Sequence, residues 1–300
     1  MGLRVVTPGL WSLPVDFGRP SFRSLGVPLG GAADRASHRL ANALVGNAPE
    51  AVALELTLAG PTLRAEHDVG CVLFGAPFQL HIDGSTEQPV VGRTFTLREG
   101  ETLRIGGTPT GVRGTLAAVG GFVRPQVLGS ASAFRGLQAD EFLVCSRSRI
   151  AGRALPFAGF PAADAETLRV LPGPQRDWFP DDRFFSIAWR VAAASNRMGL
   201  RLHGPKLTKR DAELTSEAVA PGAVQVANDG LPIVLGIDGQ TIGGYPKIAH
   251  VIAADLDRLA RLRPGASIRF ALVGIDEAEA AADENDRCLR DWEMRLGASR

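Results

Sequence analysis

The chain has 300 residues, of which 45% are apolar and 22% charged, so it can bury a sizeable core, and its length favours two domains. Its formal net charge of +1 provides no field that would recruit nucleic acid or an acidic membrane. Three widely separated cysteines argue against a disulfide framework, and neither a membrane-spanning apolar run nor a signal peptide is recognisable. We therefore expect a cytoplasmic protein whose partners are neither nucleic acid nor membrane.

Short runs rich in Val, Leu, Ile, Thr and Phe, bounded by Gly or Pro, predict β-strands through most of the chain. In the first half such runs occupy residues 71–74, 78–82, 93–97 and 101–105. Asp83-Gly84 and Glu99-Gly100 are turn dipeptides, which predict that residues 78–105 form an antiparallel meander. The chain is therefore predicted to be mainly β, with barrel-like sheets.

Three segments between these strands predict helices. The first runs to Leu44 from Asp34, which is the N-cap, and the second runs from Ala253 to Leu262 with its leucines on one face. The third, from about Asp276 to Leu296, is so rich in charge that we expect a solvated face with the character of a tail.

A change of composition marks a boundary between two domains. Residues 151–167 are rich in Gly, Ala and Pro, and strand-forming residues resume at Leu168. We predict an N-terminal domain over residues 1–160 and a C-terminal domain over residues 161–300, which ends in the charged helix.

The common catalytic and metal-binding motifs are absent from the sequence. The five histidines show neither HxxxH nor HxH spacing, so no metal site is predicted. A nucleophile elbow, a P-loop and a strand-linked GxGxxG are also missing, which leaves no support for serine hydrolysis or for nucleotide binding. We expect this chain alone to bind no cofactor and to hydrolyse no ATP.

Two polar constellations have both a structural and a functional interpretation. Asp16 and Arg19, followed by Asp34, could form a network within a turn or contribute to a binding site. Arg197 and Arg201 lie four residues apart, so they could bind a carboxylate or brace the two halves of the molecule. The sequence leaves these alternatives open.

A third constellation, residues 216–247, is the predicted functional surface. Apolar strands predicted over residues 223–226 and 232–237 carry polar residues on their flanking turns, which is how a rigid scaffold presents a site. Tyr245 is the only tyrosine of the chain, and Lys247 stands among many arginines. A lysine can lose its proton when desolvated or hold an anion as a point charge, which favours a functional role for Lys247 over a simple surface charge.

The order of these motifs resembles the KipA-type family, also called allophanate hydrolase subunit 2, which includes the C component of 5-oxoprolinase and biotin-dependent carboxyltransferase-like proteins. The resemblance extends over nearly the whole chain. It is carried, among others, by Asp16-x-Gly-Arg19, Gly26-Val-Pro28, Glu55-x-Thr57, Gly173-Pro-Gln175, Ser195-x-Arg-Met-Gly-x-Arg-Leu202, Gln240-Thr241 and Gly243-Gly-Tyr-Pro-Lys247. It implies two cyclophilin-like β-barrel domains with a few short helices.

The resemblance also implies a multi-subunit enzyme whose site is shared with a KipI-type subunit, similar to the B component of 5-oxoprolinase. In the oxoprolinase members a LamB/YcsF-type subunit joins them, and the complex uses ATP to open 5-oxoproline, a small cyclic amide, to glutamate. In the urea carboxylase members the equivalent region receives a carboxyl group from biotin on a separate carrier. A regulatory binding protein that turns over no substrate is a further alternative.

Individual residues take roles from the same resemblance. Lys247 and Asp238 are the implied catalytic residues. Substrate binding is implied for Gln225, Gln240, Thr241, Gly243, Gly244, Tyr245, Glu217, Arg197, Arg201, Asp16 and Arg19. The chain departs from the family pattern at residues 131–135, Ala-Ser-Ala-Phe-Arg, where relatives typically carry Ser-Thr, and this difference concerns the substrate more than the fold.

Overall fold

The computed structural model describes residues 2–155 and 167–298. The chain is mainly β within these residues, which confirms the predicted fold class. Contacts divide it into two units: unit 1 comprises residues 2–18, 34–155 and 288–298, and unit 2 comprises Arg19–Ala33 and residues 167–287. The predicted boundary at residue 160 lies outside the described residues. The contacts also assign two segments, Arg19–Ala33 and residues 288–298, to the unit formed mainly by the other half of the chain.

Unit 1 contains two five-stranded sheets. Their strands are β1 (Gly2–Thr7), β2 (Trp11–Val15), β3 (Ala53–Thr57), β4 (Thr62–Ala65), β5 (Val69–Gly75), β6 (Leu80–Ile82), β7 (Phe95–Leu97), β8 (Thr102–Ile105), β9 (Arg113–Ala118) and β10 (Phe142–Val144). The strand orders are β10-β1-β4-β8-β6 and β2-β3-β9-β5-β7. Because side chains alternate along a strand, each sheet turns one apolar row inward, and Leu3, Leu63, Leu54 and Leu116 meet in one fully buried cluster.

Helix α1 (Arg35–Val45) covers the opposite face of the second sheet and confirms the first predicted helix. Asp34 caps the helix, since its carboxylate accepts a hydrogen bond from the Ser37 N–H at 3.0 Å. Gly46, with φ of 81°, ends the helix in the left-handed conformation that glycine adopts at little cost. The apolar side of α1 packs against Val72 and Phe74 of β5.

In the described part of the chain three further α-helices follow: α2 (Arg183–Ser186), α3 (Leu256–Arg261) and α4 (Ile275–Ala298), which is the predicted charged helix. The end of α4 is not the solvated tail that we expected. Leu289 and Leu296 are buried in the same cluster as α1, and the Arg39 guanidinium donates to both carboxylate oxygens of Glu293 at 2.8 and 2.9 Å. The expectation was wrong because these two leucines lie two helical turns apart and give an otherwise charged helix one apolar side.

The predicted meander over residues 78–105 is wrong in its strand pairing. β6 and β7 flank the turn dipeptide Asp83-Gly84, yet they lie in different sheets, because β6 pairs with β8 and β7 pairs with β5. A turn dipeptide determines the local bend but not the partner of each strand. Burial of apolar side chains accounts for the observed strand pairing, because Ile82 of β6 and Leu97 of β7 reach the same core cluster from two different sheets.

Unit 2 contains a closed seven-stranded barrel of order β11-β18-β15-β16-β13-β12-β19 and a separate two-stranded ribbon, β14-β17. The strands are β11 (Thr167–Pro172), β12 (Trp189–Val191), β13 (Gly199–His203), β14 (Glu217–Ala218), β15 (Ala223–Val226), β16 (Pro232–Leu235), β17 (Ile242–Gly243), β18 (Lys247–Val251) and β19 (Ser267–Leu272). A parallel pair, β11 with β19, closes the barrel. The barrel core includes Phe184 and Phe270, whose rings stack with centroids 4.5 Å apart.

The predicted helix from Ala253 to Leu262 is confirmed as a 3-10 turn, Ala253–Asp255, that leads into α3. Buried Asp255 fixes this turn to β11, because its carboxylate accepts hydrogen bonds from the Arg169 backbone N–H at 2.7 Å and from the Arg169 guanidinium. No helix among the described residues is both long enough and apolar enough to cross a membrane.

Candidate active site

A buried lysine lies at the start of barrel strand β18. Lys247 is only 6% exposed, and its Nζ donates a hydrogen bond to Oε1 of Glu217 on ribbon strand β14. A buried ammonium without a partner would be very costly, so the carboxylate is what allows a charged lysine at this depth. Residues 30 positions apart in sequence thus form one ion pair.

Gln175 joins both members of this ion pair. Its side-chain Nε2 donates to Glu217 Oε1 at 2.8 Å, and its Oε1 accepts a hydrogen bond from the Lys247 backbone N–H at 3.0 Å. Its own backbone N–H donates to the Lys247 carbonyl at 3.2 Å. Gly173 permits this approach, because a Cβ there would lie 2.2 Å from the same carbonyl oxygen. We call Gln175, Glu217 and Lys247 the Lys247 cluster.

The Lys247 cluster keeps Glu217 ionised. The hydrogen bond from Lys247 is the main cause that lowers the pKa of the Glu217 carboxyl below its ordinary value, and the Gln175 hydrogen bond adds to it, whereas partial burial opposes both. The ionised carboxylate of Glu217 thus balances the ammonium group of Lys247. The formal charges of the cluster cancel.

Two glutamine amides meet beside this cluster, above the Cα atom of Gly243. A Cβ at Gly243 would lie 2.5 Å from Gln225 Nε2 and 2.9 Å from Gln240 Nε2, so only glycine leaves room for both. Gln225 pairs with Lys247 across β15 and β18, at a point where the register shifts, and Gly243 pairs with Glu217 across the ribbon. We call Gln225, Gln240 and Gly243 the Gly243 cradle.

The two halves of the Gly243 cradle differ in exposure. Gln225 is 2% exposed, and its Nε2 is a buried donor that has no hydrogen-bond partner among the described residues. Gln240, in contrast, is exposed on the turn that precedes β17. A buried amide nitrogen without an acceptor is uncommon in folded proteins and marks a candidate binding position.

The other predicted residues of this stretch surround the cradle. Thr241 is buried, and its carbonyl accepts a hydrogen bond from the Val219 N–H at 3.0 Å, which extends the ribbon by one residue. Gly244 and Tyr245 are exposed on the turn between β17 and β18, where a Cβ on Gly244 would approach only Ser216 Oγ, at 3.2 Å, and the Leu214 carbonyl. The structure thus gathers most of the residues predicted between 217 and 247.

Asp238 and Arg197 form a separate contact in unit 2. The Arg197 guanidinium donates to both carboxylate oxygens of Asp238, at 2.7 and 3.0 Å, and the Asp238 N–H donates to the Arg197 carbonyl at 3.1 Å. This bidentate pair fixes the turn before Gln240. The catalytic role predicted for Asp238 stays a prediction, and the geometry adds a role in holding the turn.

Arg201 and Arg197 do not point to a common ligand. Arg197 is buried, whereas Arg201 is exposed on β13 and has no side-chain partner among the described residues. Arginines four positions apart on a helix would lie on one side, but here a turn comes between Arg197 and the strand.

The segment Arg19–Ala33 is held to unit 2 by hydrogen bonds that connect the first and second sequence constellations. Arg19 is 3% exposed, and its backbone N–H donates to the Leu29 carbonyl at 2.7 Å. Hydrogen bonds tie the segment to the rest of unit 2. The Arg23 guanidinium donates to the Val219 carbonyl, and the Gly30 N–H donates to the Ile237 carbonyl at 3.2 Å. The Arg197 guanidinium donates to the Gly31 carbonyl at 2.7 Å.

Asp16 makes its contacts within unit 1. Its carboxylate accepts hydrogen bonds from the Ser130 hydroxyl at 2.6 Å, the Ser132 hydroxyl at 2.5 Å, and the N–H groups of Ala131 at 2.6 Å and Gly18 at 2.8 Å. Burial raises the pKa of this carboxyl, but the hydrogen bonds outweigh burial and hold the pKa below its ordinary value. Serine hydroxyls and backbone N–H groups thus hold Asp16 in a local network, and its predicted role in substrate binding stays a prediction.

Sequence reasoning missed three residues of these networks: Gln175, Ser130 and Ser132. Gln175 was noted only as part of the Gly173-Pro-Gln175 motif, and it lies 72 positions from Lys247. Ser132 stands inside the segment described above as a departure from the family pattern, yet it supplies a hydroxyl to Asp16. Within the described residues no group of three or more His, Cys, Asp or Glu side chains is arranged to hold a metal ion.

Comparison with known proteins identifies relatives that align along most of this chain. The family model described as the carboxyltransferase domain, subdomains A and B, matches residues 25–272. The chain is 34% identical to the C component of the 5-oxoprolinase of Escherichia coli (strain K12), with 98% of each chain covered. It is 35% identical to the C component of the 5-oxoprolinase of Haemophilus influenzae, with 90% of this chain and 91% of the relative covered.

A solved structure shows the same arrangement of strands inside a larger enzyme. The crystal structure of the Kluyveromyces lactis urea carboxylase superposes with a TM-score of 0.88 at 27% identity. The superposition covers 97% of this chain but only 29% of that protein. The described chain therefore corresponds to one region of the larger enzyme.

Proposed function

Because the chain belongs to the family of the carboxyltransferase domain, subdomains A and B, we propose that it is a subunit of a multi-subunit, ATP-dependent 5-oxoprolinase. This membership confirms the resemblance inferred from the sequence motifs. In the proposed reaction the complex opens 5-oxoproline, or a related small cyclic amide, to the corresponding amino acid, which is glutamate for 5-oxoproline. The proposed partners are a KipI-type subunit, which completes the site, and a LamB/YcsF-type subunit. The cytoplasmic location expected from the sequence stays a prediction.

The observation that supports this proposal most strongly is the end-to-end alignment with a protein that is itself named as one subunit of 5-oxoprolinase. The Escherichia coli protein and this chain each align over 98% of their length. The alignment to the urea amidolyase of Lachancea kluyveri covers 96% of this chain but 18% of that enzyme. The alignment thus extends over nearly the whole Escherichia coli subunit at 34% identity, but over only a small part of the urea amidolyase at 29% identity.

The Lys247 cluster and the Gly243 cradle offer the chemistry that ring opening needs. Opening breaks the amide C–N bond, while water supplies a hydroxyl to the carbon and a proton to the nitrogen, and ATP hydrolysis by the complex drives the reaction. Negative charge develops on the carbonyl oxygen as water adds. Lys247 and the Gln225 amide would stabilise that charge, and the neutral ground state of the cluster would avoid binding the product carboxylate too tightly.

Reconstitution tests the proposal. The chain is purified with its KipI-type and LamB/YcsF-type partners, and 5-oxoproline-dependent release of phosphate and glutamate is measured. We expect activity only when all subunits are present, with no activity from this chain alone. ATP hydrolysis that is indifferent to 5-oxoproline and to related lactams would contradict the proposed substrate class.

A second candidate function is a carboxyltransferase component that accepts a carboxyl group from biotin on a separate carrier. It is favoured by the description of the family and by the match to urea carboxylase at a TM-score of 0.88. The two candidates differ in one requirement, because only the second needs a biotin carboxylase. Carboxylation of a urea-like acceptor by the chain and a biotinylated carrier would support it, and indifference to biotin would exclude it.

A further inference from the structure

The buried Nε2 of Gln225 is a hydrogen-bond donor without an acceptor. The Gln225 side chain is almost completely enclosed by the strands around it, since its exposure is 2%. Its nitrogen has no partner among the described residues, although an unsatisfied buried donor destabilises a fold by about 1–3 kcal/mol. Such a donor, next to the Lys247–Glu217 ion pair, indicates a position where an acceptor atom of a ligand binds.

The charges around the cradle select the kind of acceptor. Lys247 faces Gln225 across two strands, but Glu217 already neutralises it. The ion pair therefore offers a carboxylate no net positive charge that would offset its loss of hydration, whereas a neutral carbonyl oxygen needs only an amide donor.

Gln240 is the side chain that can uncover this donor. Its Nε2 lies on the same side of Gly243 as Gln225 Nε2, yet Gln240 is exposed and its side chain has no hydrogen-bond partner among the described residues. A side chain held by no hydrogen bond changes rotamer quickly and at low cost. Because Gln240 is the exposed neighbour at this point, its displacement would leave the Gly243 side of the Gln225 amide uncovered.

We propose that the Gln225 amide, uncovered by movement of Gln240, binds the carbonyl oxygen of a neutral cyclic amide, and that Glu217, by neutralising Lys247, disfavours a carboxylate at the same position. For its biological meaning this inference rests on the proposed 5-oxoprolinase function. It adds to that function which group of the substrate this chain binds. This chain binds the lactam of 5-oxoproline, and another part of the complex binds the carboxylate of 5-oxoproline.

Two fragments of 5-oxoproline test the proposal on the free chain. One is 2-pyrrolidinone, which has the lactam without the carboxylate, and the other is cyclopentanecarboxylate, which has the carboxylate without the lactam. Each is titrated into the ¹⁵N-labelled chain, and the side-chain NH₂ signals of glutamine are followed by NMR. The signal that is lost in Gln225→Met identifies Gln225.

We expect 2-pyrrolidinone to shift the Gln225 signal in a saturable way, whereas cyclopentanecarboxylate leaves it unchanged. Loss of one hydrogen bond should weaken 2-pyrrolidinone binding about tenfold in Gln225→Met. Gln138→Ala, at an exposed glutamine of unit 1 outside the cradle, is the matched control and should bind 2-pyrrolidinone as tightly as the unaltered chain. Glu217→Gln should gain affinity for cyclopentanecarboxylate, because Lys247 is then left without its counter-charge.

The proposal is overturned if the Gln225 signal does not respond to 2-pyrrolidinone, if both fragments bind equally, or if Gln225→Met binds as the unaltered chain does. The two fragments are compared on the unaltered chain, and through-bond NMR correlations to the Gln225 backbone assign its signal even where Gln225→Met does not fold. Since no turnover is measured, selective lactam binding by a chain whose complex has no oxoprolinase activity would refute the proposed function but not this inference. Oxoprolinase activity of the complex without lactam binding at Gln225 would refute this inference but not the proposed function.

Discussion

The substitution Gly243→Ala adds one methyl group at the place where the two glutamine amides meet. The new Cβ would lie 2.5 Å from Gln225 Nε2, 2.9 Å from Gln240 Nε2 and 3.4 Å from Val219 Cγ1. Gln240 is exposed and can move away, but Gln225 is buried and must shift against its neighbours. Overpacking of this kind destabilises a fold by about 1–3 kcal/mol.

Its neighbour provides a matched control. The Cβ of Gly244→Ala would approach only Ser216 Oγ, at 3.2 Å, and the Leu214 carbonyl, at 3.6 Å, on an exposed turn. Neither glycine has a positive φ, so the two substitutions differ in their surroundings and not in backbone strain. We expect Gly244→Ala to keep the free energy of unfolding or to raise it by up to about 1 kcal/mol, since alanine restricts the unfolded chain.

Urea unfolding followed by circular dichroism measures both variants. We predict a lower free energy of unfolding for Gly243→Ala than for Gly244→Ala, together with loss of 2-pyrrolidinone binding in Gly243→Ala alone. Equal stability and equal binding in the two variants would refute the close approach of the amides to Gly243.

Three further predictions concern other contacts. His38 is buried in α1, and burial is the main cause that lowers its pKa from 6.5 to about 4, with nearby Glu55 partly opposing it. Folding therefore favours the neutral imidazole. The free energy of unfolding should be highest above pH 6.5 and should fall by about 2 kcal/mol from pH 7 to pH 5. In urea unfolding at these two pH values, His38→Asn should reduce this pH dependence. Arg197→Lys keeps the charge but not the bidentate geometry with Asp238, so we expect a loss of about 2 kcal/mol in the same assay, and an unchanged stability would contradict a bracing role. Ser132→Ala removes one hydroxyl donor from the Asp16 carboxylate, and NMR titration should show a higher pKa for that carboxyl, whereas an unchanged pKa would show that the backbone donors suffice.

Local features of the fold could be predicted because their causes are local. Asp34 caps α1 through a group three residues away, and the leucines of α3 repeat at helical spacing. The partners of β6 and β7 could not be predicted in this way, because both strands pair across distances that no turn signal reports. The leucines on the apolar side of α4 are spaced two helical turns apart in the sequence, but the many charged residues around them led to the prediction of a solvated helix.

The candidate site was predictable in its residues but not in its geometry. Lys247 and the glycines before it stand out in composition, and the family motifs add Gln225 and Gln240. The partner of Lys247 could not be deduced, since Glu217 and Gln175 reach it from 30 and 72 positions away across the barrel and the ribbon. The unsatisfied nitrogen of Gln225 is likewise visible only once the strands are paired.

The central claim is that the Lys247 cluster acts in lactam opening by the assembled complex. Lys247→Met tests it, because methionine keeps most of the side-chain length and is compatible with burial but has no charge. In the reconstituted complex we predict that this variant still assembles with its partners, and that 5-oxoproline-dependent glutamate formation falls by a factor of about 100 or more, as expected for loss of a group that stabilises a developing oxyanion. Glutamate formation at the unaltered rate by Lys247→Met would contradict the claim.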